Sequence, residues 1–165
     1  MAERYWLMKS EPECYSIDDL AREGQAPWDG VRNYQARNFM CDMRLGDAVL
    51  FYHSNAAPPG VAGRARVCRE AYPDHTAWEE GSDHPDPRSS PEHPRWFMVD
   101  VCFEERFARL VPLSELRADP ALHDMQLLAR GQRLSVMPIT PKHAKRIMSL
   151  GRRARPERVR ARTAP

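Results

Sequence analysis

Four aromatic residues of this chain stand close in sequence to small neutral polar ones. Trp6 shortly precedes Ser10, Trp28 and Tyr34 flank Asn33, and Tyr52 lies just before Ser54 and Asn55. Aromatic faces stack on flat rings, while amides and hydroxyls supply hydrogen bonds around a ring's edge, an amide donating and accepting at once. That combination suits binding without bond breaking. The groups able to move protons are Glu11 and Asp100 with His53 or His75, and an acid–base pair among them would need to converge in one cavity. The runs above are richer in amides, hydroxyls and aromatics than in such pairs, so no catalytic residue is expected.

Metal and thiol chemistry find little support. His75, His84, His93 and Asp74 fall in a stretch with no regular ligand spacing, and Cys14, Cys41, Cys68 and Cys102 are scattered without close partners. A zinc site needs ligands at short, repeated spacing, so no metal and no cofactor are expected, and the cysteines read as buried free thiols. Free thiols fit a reducing compartment, cytoplasmic or, in a eukaryote, nuclear. The opening residues Glu3, Arg4 and Lys9 around an apolar run of four are neither a signal peptide nor a membrane span.

The elements that must position these residues follow from pattern and punctuation. Tyr5 to Met8 reads as a strand that ends at Lys9-Ser10-Glu11-Pro12, and Ser16 with Asp19 has the spacing of a capping box opening a short helix. Trp28-Asp29-Gly30 is a turn. From Asn33 to Met43 the apolar positions recur at helical spacing, with Asn33 as N-cap and Gly46-Asp47 ending the element. Ala48 to Tyr52 and Val61 to Val67 read as strands, the second carrying Gly63 at a bulge or close approach, and the proline-rich passage from Pro73 to Pro94 is the main surface loop. Trp96 to Phe103 and Phe107 to Val111 are two further strands, Leu113 to Leu116 begins a short helical turn after Pro112, and Arg133 to Met137 is a last strand stopped by Pro138. Thr140-Pro141 opens a terminal helix closed by Gly151. Strands that do not alternate one for one with helices point to an α+β domain, a small barrel or curled sheet of about six strands flanked by short helices.

A length of 165 residues at 42% hydrophobic content suits one domain. The formal charge of +2 conceals an uneven distribution. The segment 152–162 holds six arginines and one glutamate, and setting it aside leaves 19 basic and 22 acidic residues. The body is therefore slightly acidic. Attraction to phosphate must come from a local patch or from the arginine-rich segment 152–165, which lacks apolar periodicity and reads as a disordered tail after a domain spanning 1–151.

Several runs taken together resemble the EVE domain family, with its thymocyte nuclear protein-like members. They are Tyr5 to Pro12, Trp28 to Phe39, Phe51 to Asn55, Glu70 to Asp74, Trp96 to Val101 and Arg133 to Val136, and they reach across almost the whole body. The resemblance implies a PUA-like fold, a curled β-barrel with flanking helices. It also implies a reader of modified bases without catalytic activity, similar to domains that recognise methylated adenine in RNA and modified cytosine in DNA. The partner expected on that basis is nucleic acid carrying a modified base, DNA or RNA, with modified cytosine in DNA the first choice; no membrane is involved and a monomer is the simplest state. A small-molecule or modified-RNA sensor is the alternative, with a nucleotide-acting enzyme behind it.

A base lifted from its stack needs an aromatic face and polar edge contacts. Trp28, Tyr34, Tyr52 and Trp6 are the candidate faces, Asn33, Ser10, Ser54, Asn55, His53 and Asp100 the candidate edge contacts, and Lys9, Arg32 and Arg37 the candidate phosphate contacts. Each also has a plain structural reading. Trp6 and Tyr34 suit a core, Asn33 an N-cap, Ser54 and Asn55 a loop, Arg37 a surface ion pair, and His53 a satisfied structural histidine. Asp100 lies in an apolar strand and requires a partner, expected to be an arginine or a backbone amide.

Overall fold

The computed structural model describes residues 2–153, so the expectation for the tail lies outside the described residues except at Arg152 and Arg153. Six strands form one sheet: β1 (Tyr5–Ser10), β2 (Gln25–Pro27), β3 (Ala48–His53), β4 (Gly60–Pro73), β5 (Phe97–Pro112) and β6 (Val136–Ile139). Their order is β2-β5-β4-β3-β1-β6. β1 runs parallel to β3 and every other pairing is antiparallel. The α+β class stands, but the sheet is open, with β2 and β6 as its two edges. A closed barrel is therefore corrected to an open mixed sheet. β2 has only three residues and β6 four, and strands that short blunt the exposed edges.

Four helices among the described residues pack on this sheet: α1 (Ile17–Glu23), α2 (Tyr34–Asp42), α3 (Leu113–Ala118) and α4 (Pro141–Arg152). The capping box at α1 is complete, with Ser16 Oγ accepting from Asp19 N and the Asp19 carboxylate accepting from Ser16 N. Asn33 Oδ1 caps α2 by accepting from Ala36 N at 3.0 Å, and Thr140 caps α4. α1 drives Ile17 and Leu20 into the core, and α2 drives in Ala36 and Met40. Leu7 and Met8 of β1 and Leu50 and Phe51 of β3 are fully buried in the middle of the sheet.

Several boundaries differ from the pattern reading, for identifiable reasons. β5 is one long strand, because Glu105 and Arg106 pair with Arg64 and Gly63 of β4 across a bulge at Glu104, and the acidic charges are matched, Glu104 with Arg64 and Glu105 with Arg152. Pro138 lies inside β6 opposite Trp6; an edge strand tolerates a proline whose ring faces away from the ladder. α4 runs on through Gly151 to Arg152, and Gly151 is there because a side chain would collide with the Phe107 ring of β5. The thiols correct another expectation: Cys14 and Cys41 are exposed and Cys68 and Cys102 half-buried. β2 was invisible to pattern reading, being three residues that combine an exposed glutamine and a proline.

Candidate nucleic-acid interface

A cavity of about 370 Å³ opens where β1 and β2 end, lined by Lys9, Ser10, Cys14, Tyr15, Pro27, Trp28, Asp29, Asp83 and His84. Its aromatic wall is fixed from behind. Trp28 is buried, its amide donates to Val99 O at 2.8 Å, and its ring meets Phe51 edge-on at 5.3 Å between centroids. Ser10 and the 11–15 turn form another wall: Ser10 Oγ donates to Tyr15 O at 2.6 Å, and Cys14 and Tyr15 amides donate to Glu11 O. The Tyr15 hydroxyl donates to Glu23, and burial together with that carboxylate pushes its pKa up. Burial likewise lowers the pKa of Lys9.

The opposite wall comes from the proline-rich loop. Gly30 adopts φ +77° and the His84 ring lies where a side chain at residue 30 would project, so both turn and close approach call for glycine. Arg32 holds this arrangement. It donates to His84 O at 2.7 Å and to the fully buried Asp74 carboxylate at 2.9 Å, and Asp74 also accepts from Gly30 N and Thr76. Burial alone pushes the Asp74 carboxyl upward; the hydrogen bonds from Thr76, Gly30 and Arg32 outweigh it and hold it below the usual carboxylate range. Arg32 thus fastens the 83–84 segment against the Trp28 turn rather than offering a free cation.

Of the residues singled out from sequence, the structure brings Lys9, Ser10 and Trp28 together in this cavity and leaves the others elsewhere. Trp6 is core, its Nε1 donating to Asp47 at 2.9 Å. Tyr52 is buried and lines an adjoining groove with Lys9. His53 Nε2 accepts from Ile17 N at 3.1 Å, completing the start of α1, and burial lowers its pKa. Ser54 N donates to Ser10 O, and Asn55, in the left-handed region at φ 52°, donates to Glu11 at 3.1 Å. Asp100 does find partners, but they are the Tyr72 hydroxyl and the Gln25 amide at 2.5 and 3.2 Å instead of an arginine or a backbone amide.

Tyr34 and Arg37 form a separate shelf. Tyr34 is 47% exposed and stacks on Trp96 at 4.8 Å with 21° between planes. Arg37 covers the Tyr34 ring at 4.8 Å while donating to Arg95 O and Asn38, and Arg95 donates to the Tyr34 hydroxyl. Trp96 is anchored in turn by Nε1 donating to Asp86 at 2.7 Å.

Sequence reading missed Tyr15, Asp29, Asp83 and His84. Asp29 was within reach, since it directly follows Trp28. Asp83 and His84 gave no signal, because their place depends on a loop folding back over fifty residues to Arg32. The acid–base pairs considered from sequence do not form: Glu11 meets Asn55, Asp100 meets Tyr72, and His75 pairs with Glu79. Among the described residues no cluster of three potential ligands could hold a metal ion, and no helix is long and apolar enough to cross a membrane.

The pattern of the EVE domain matches residues 4–150, and the chain belongs to that family. Human thymocyte nuclear protein 1 is 44% identical over 165 residues, a match covering 88% of this chain and 73% of the relative. A protein of solved structure from Leishmania major superposes with a TM-score of 0.87 at 47% identity, covering 91% of this chain and 95% of its own. The crystal structure of human THYN1 protein in complex with 5-methylcytosine containing DNA superposes with a TM-score of 0.85 at 42% identity, covering 92% and 99%.

Proposed function

We propose that this chain is a non-catalytic reader that takes a modified cytosine of DNA into the Trp28 cavity. The observation that carries the reading is the likeness, over nearly the full length of both chains, to a human protein whose crystal structure contains 5-methylcytosine DNA. The cavity's chemistry agrees with it. Trp28 supplies a stacking face, and the carboxylates of Asp29 and Asp83 are acceptors of the kind that pair with the cytosine amino group. Lys9 and His84 add donors on the same rim, and the Ser10 hydroxyl, whose proton goes to Tyr15 O, offers an acceptor. A DNA ligand favours the nuclear over the cytoplasmic expectation in any cell that has a nucleus.

The test is a binding titration with duplexes carrying 5-methylcytosine or 5-hydroxymethylcytosine beside an unmodified duplex of the same sequence, at several salt concentrations. A preference for modified duplex that persists across salt is expected. Equal affinity for all three at every salt concentration sinks the reading. Modified RNA run in parallel separates the two polymers, and tighter binding there would replace DNA with RNA.

A further inference from the structure

A second groove of about 380 Å³ lies next to the Trp28 cavity, and Lys9 lines both. Besides Lys9, its polar cations are Arg117, Arg130 and Arg133, with the Tyr52 ring in its wall and no carboxylate in its lining. This is unusual for the molecule. Most arginines of the body sit in ion pairs, such as Arg4 with Asp42, Arg64 with Glu104 and Arg146 with Asp119. Arg117, Arg130 and Arg133 are exposed and pair with no carboxylate among the described residues. An acidic body has thus kept four cations uncompensated around one concavity.

The groove is also built, and its backbone is held in place. Leu128 N donates to Met125 O, Ala129 N to Gln126 O and Gln132 N to Ala129 O, while the Gln132 side chain accepts from Leu134 N. Lys9 N donates to Ser135 O at 2.8 Å, which ties the 130–135 segment to the end of β1 and so to the cavity wall. Arg117 stands near enough to Tyr52 to favour its phenolate, against the burial that raises the Tyr52 pKa.

We propose that the groove of Lys9, Arg117, Arg130 and Arg133 carries the phosphodiester backbone of the DNA strand whose base enters the Trp28 cavity. The proposal rests on the reader function above and adds what that function lacked. Of the expected phosphate contacts, Arg32 and Arg37 are engaged internally, whereas Lys9 and the three groove arginines pair with no carboxylate among the described residues and adjoin the pocket. A nucleic-acid strand presents a phosphate about every 3.4 Å of axis, and neutralising phosphates releases condensed counterions, so such contacts set affinity and salt dependence while leaving base choice to the pocket.

The test uses the full chain with Arg117→Gln, Arg130→Gln and Arg133→Gln, singly and combined, and Lys145→Gln as an exposed cation outside the groove. Affinity for methylated and unmodified duplexes of one sequence is followed against salt. Each groove substitution is expected to weaken both duplexes by the same several-fold factor, and to reduce the slope of log affinity against log salt by about 1. Lys145→Gln is expected to leave the slope unchanged. Binding of unmodified DNA through the groove without methyl preference defeats the reader function and leaves the groove standing. Methyl preference with a slope untouched by the triple variant overturns the groove alone. Absence of any DNA binding overturns both.

Discussion

Two regions offered the same ingredients, an aromatic ring beside polar groups and arginines, yet the fold treats them differently. At the Trp28 cavity the ring is held from behind, and the polar groups of Lys9, Asp29, Asp83 and His84 face an open space. At the Tyr34 shelf the ring is stacked on Trp96, its hydroxyl accepts from Arg95, and Arg37 covers it. The difference teaches that residue type marks a potential for binding, whereas a site is what remains after internal partners are subtracted. Asn33, Arg32 and Arg37 all have the right chemistry, but the Asn33 side-chain oxygen is taken by the α2 cap, and Arg32 and Arg37 donate to partners within the protein.

The two regions meet at Asp74, whose amide donates to Trp96 O at 2.8 Å and whose carboxylate holds Arg32, and removing that carboxylate is the harshest test of the comparison. The carboxylate is fully buried and holds Arg32, Gly30 N and Thr76, so Asp74→Ala leaves a guanidinium and two backbone donors without their acceptor. Removing one partner of a buried pair costs about 3–5 kcal/mol. Urea denaturation is expected to show a loss of that order, with Asp74→Asn intermediate. A midpoint within experimental error of wild type would mean that Arg32 does not clamp the loop.

A smaller effect separates the two rings directly. Trp28→Leu keeps an apolar side chain in the wall but removes the stacking face, and is expected to cost about 1–3 kcal/mol in affinity for methylated duplex. Tyr34→Leu, made on the exposed shelf, is expected to leave the ratio of methylated to unmodified binding unchanged. If Tyr34→Leu abolishes the preference and Trp28→Leu does not, the two regions exchange roles.

Sequence reading reached the local devices well and the long-range ones poorly. The capping box at Ser16, the Asn33 and Thr140 caps and the strands around Leu7 and Leu50 depend on neighbours within a few positions, and all are present. The open sheet was not legible, because closure depends on whether β2 and β6 meet, and three or four residues carry no pattern that says so. Within the cavity, Trp28, Ser10 and Lys9 stood in distinctive runs, while His84 and Asp83 arrive from a loop whose composition argued against any long regular element. That loop is nonetheless pinned by its own aspartates, Asp74 to Gly30 and Arg32, and Asp86 to Trp96. A proline- and acid-rich stretch therefore says that a segment is not helix or strand; it does not say that the segment is unattached.

His53 gives the mildest test of which residues are internal. Its Nε2 accepts a hydrogen bond from Ile17 N, which requires the neutral ring, and burial holds its pKa below the ordinary 6.5, with the nearby Asp18 charge opposing in part. Since the unfolded chain takes up the proton first, the stability this group contributes is complete above about pH 6.5 and is lost as pH falls below that value. Unfolding measured at pH 7 and pH 5 is expected to show a larger acid-induced drop for wild type than for His53→Gln, whose amide oxygen can accept the same bond without titrating. The preference for methylated duplex at pH 7 is expected to survive the substitution. Loss of that preference in a protein that still folds would move His53 from the scaffold into the binding surface, and with it the boundary between the cavity and the groups that merely support it.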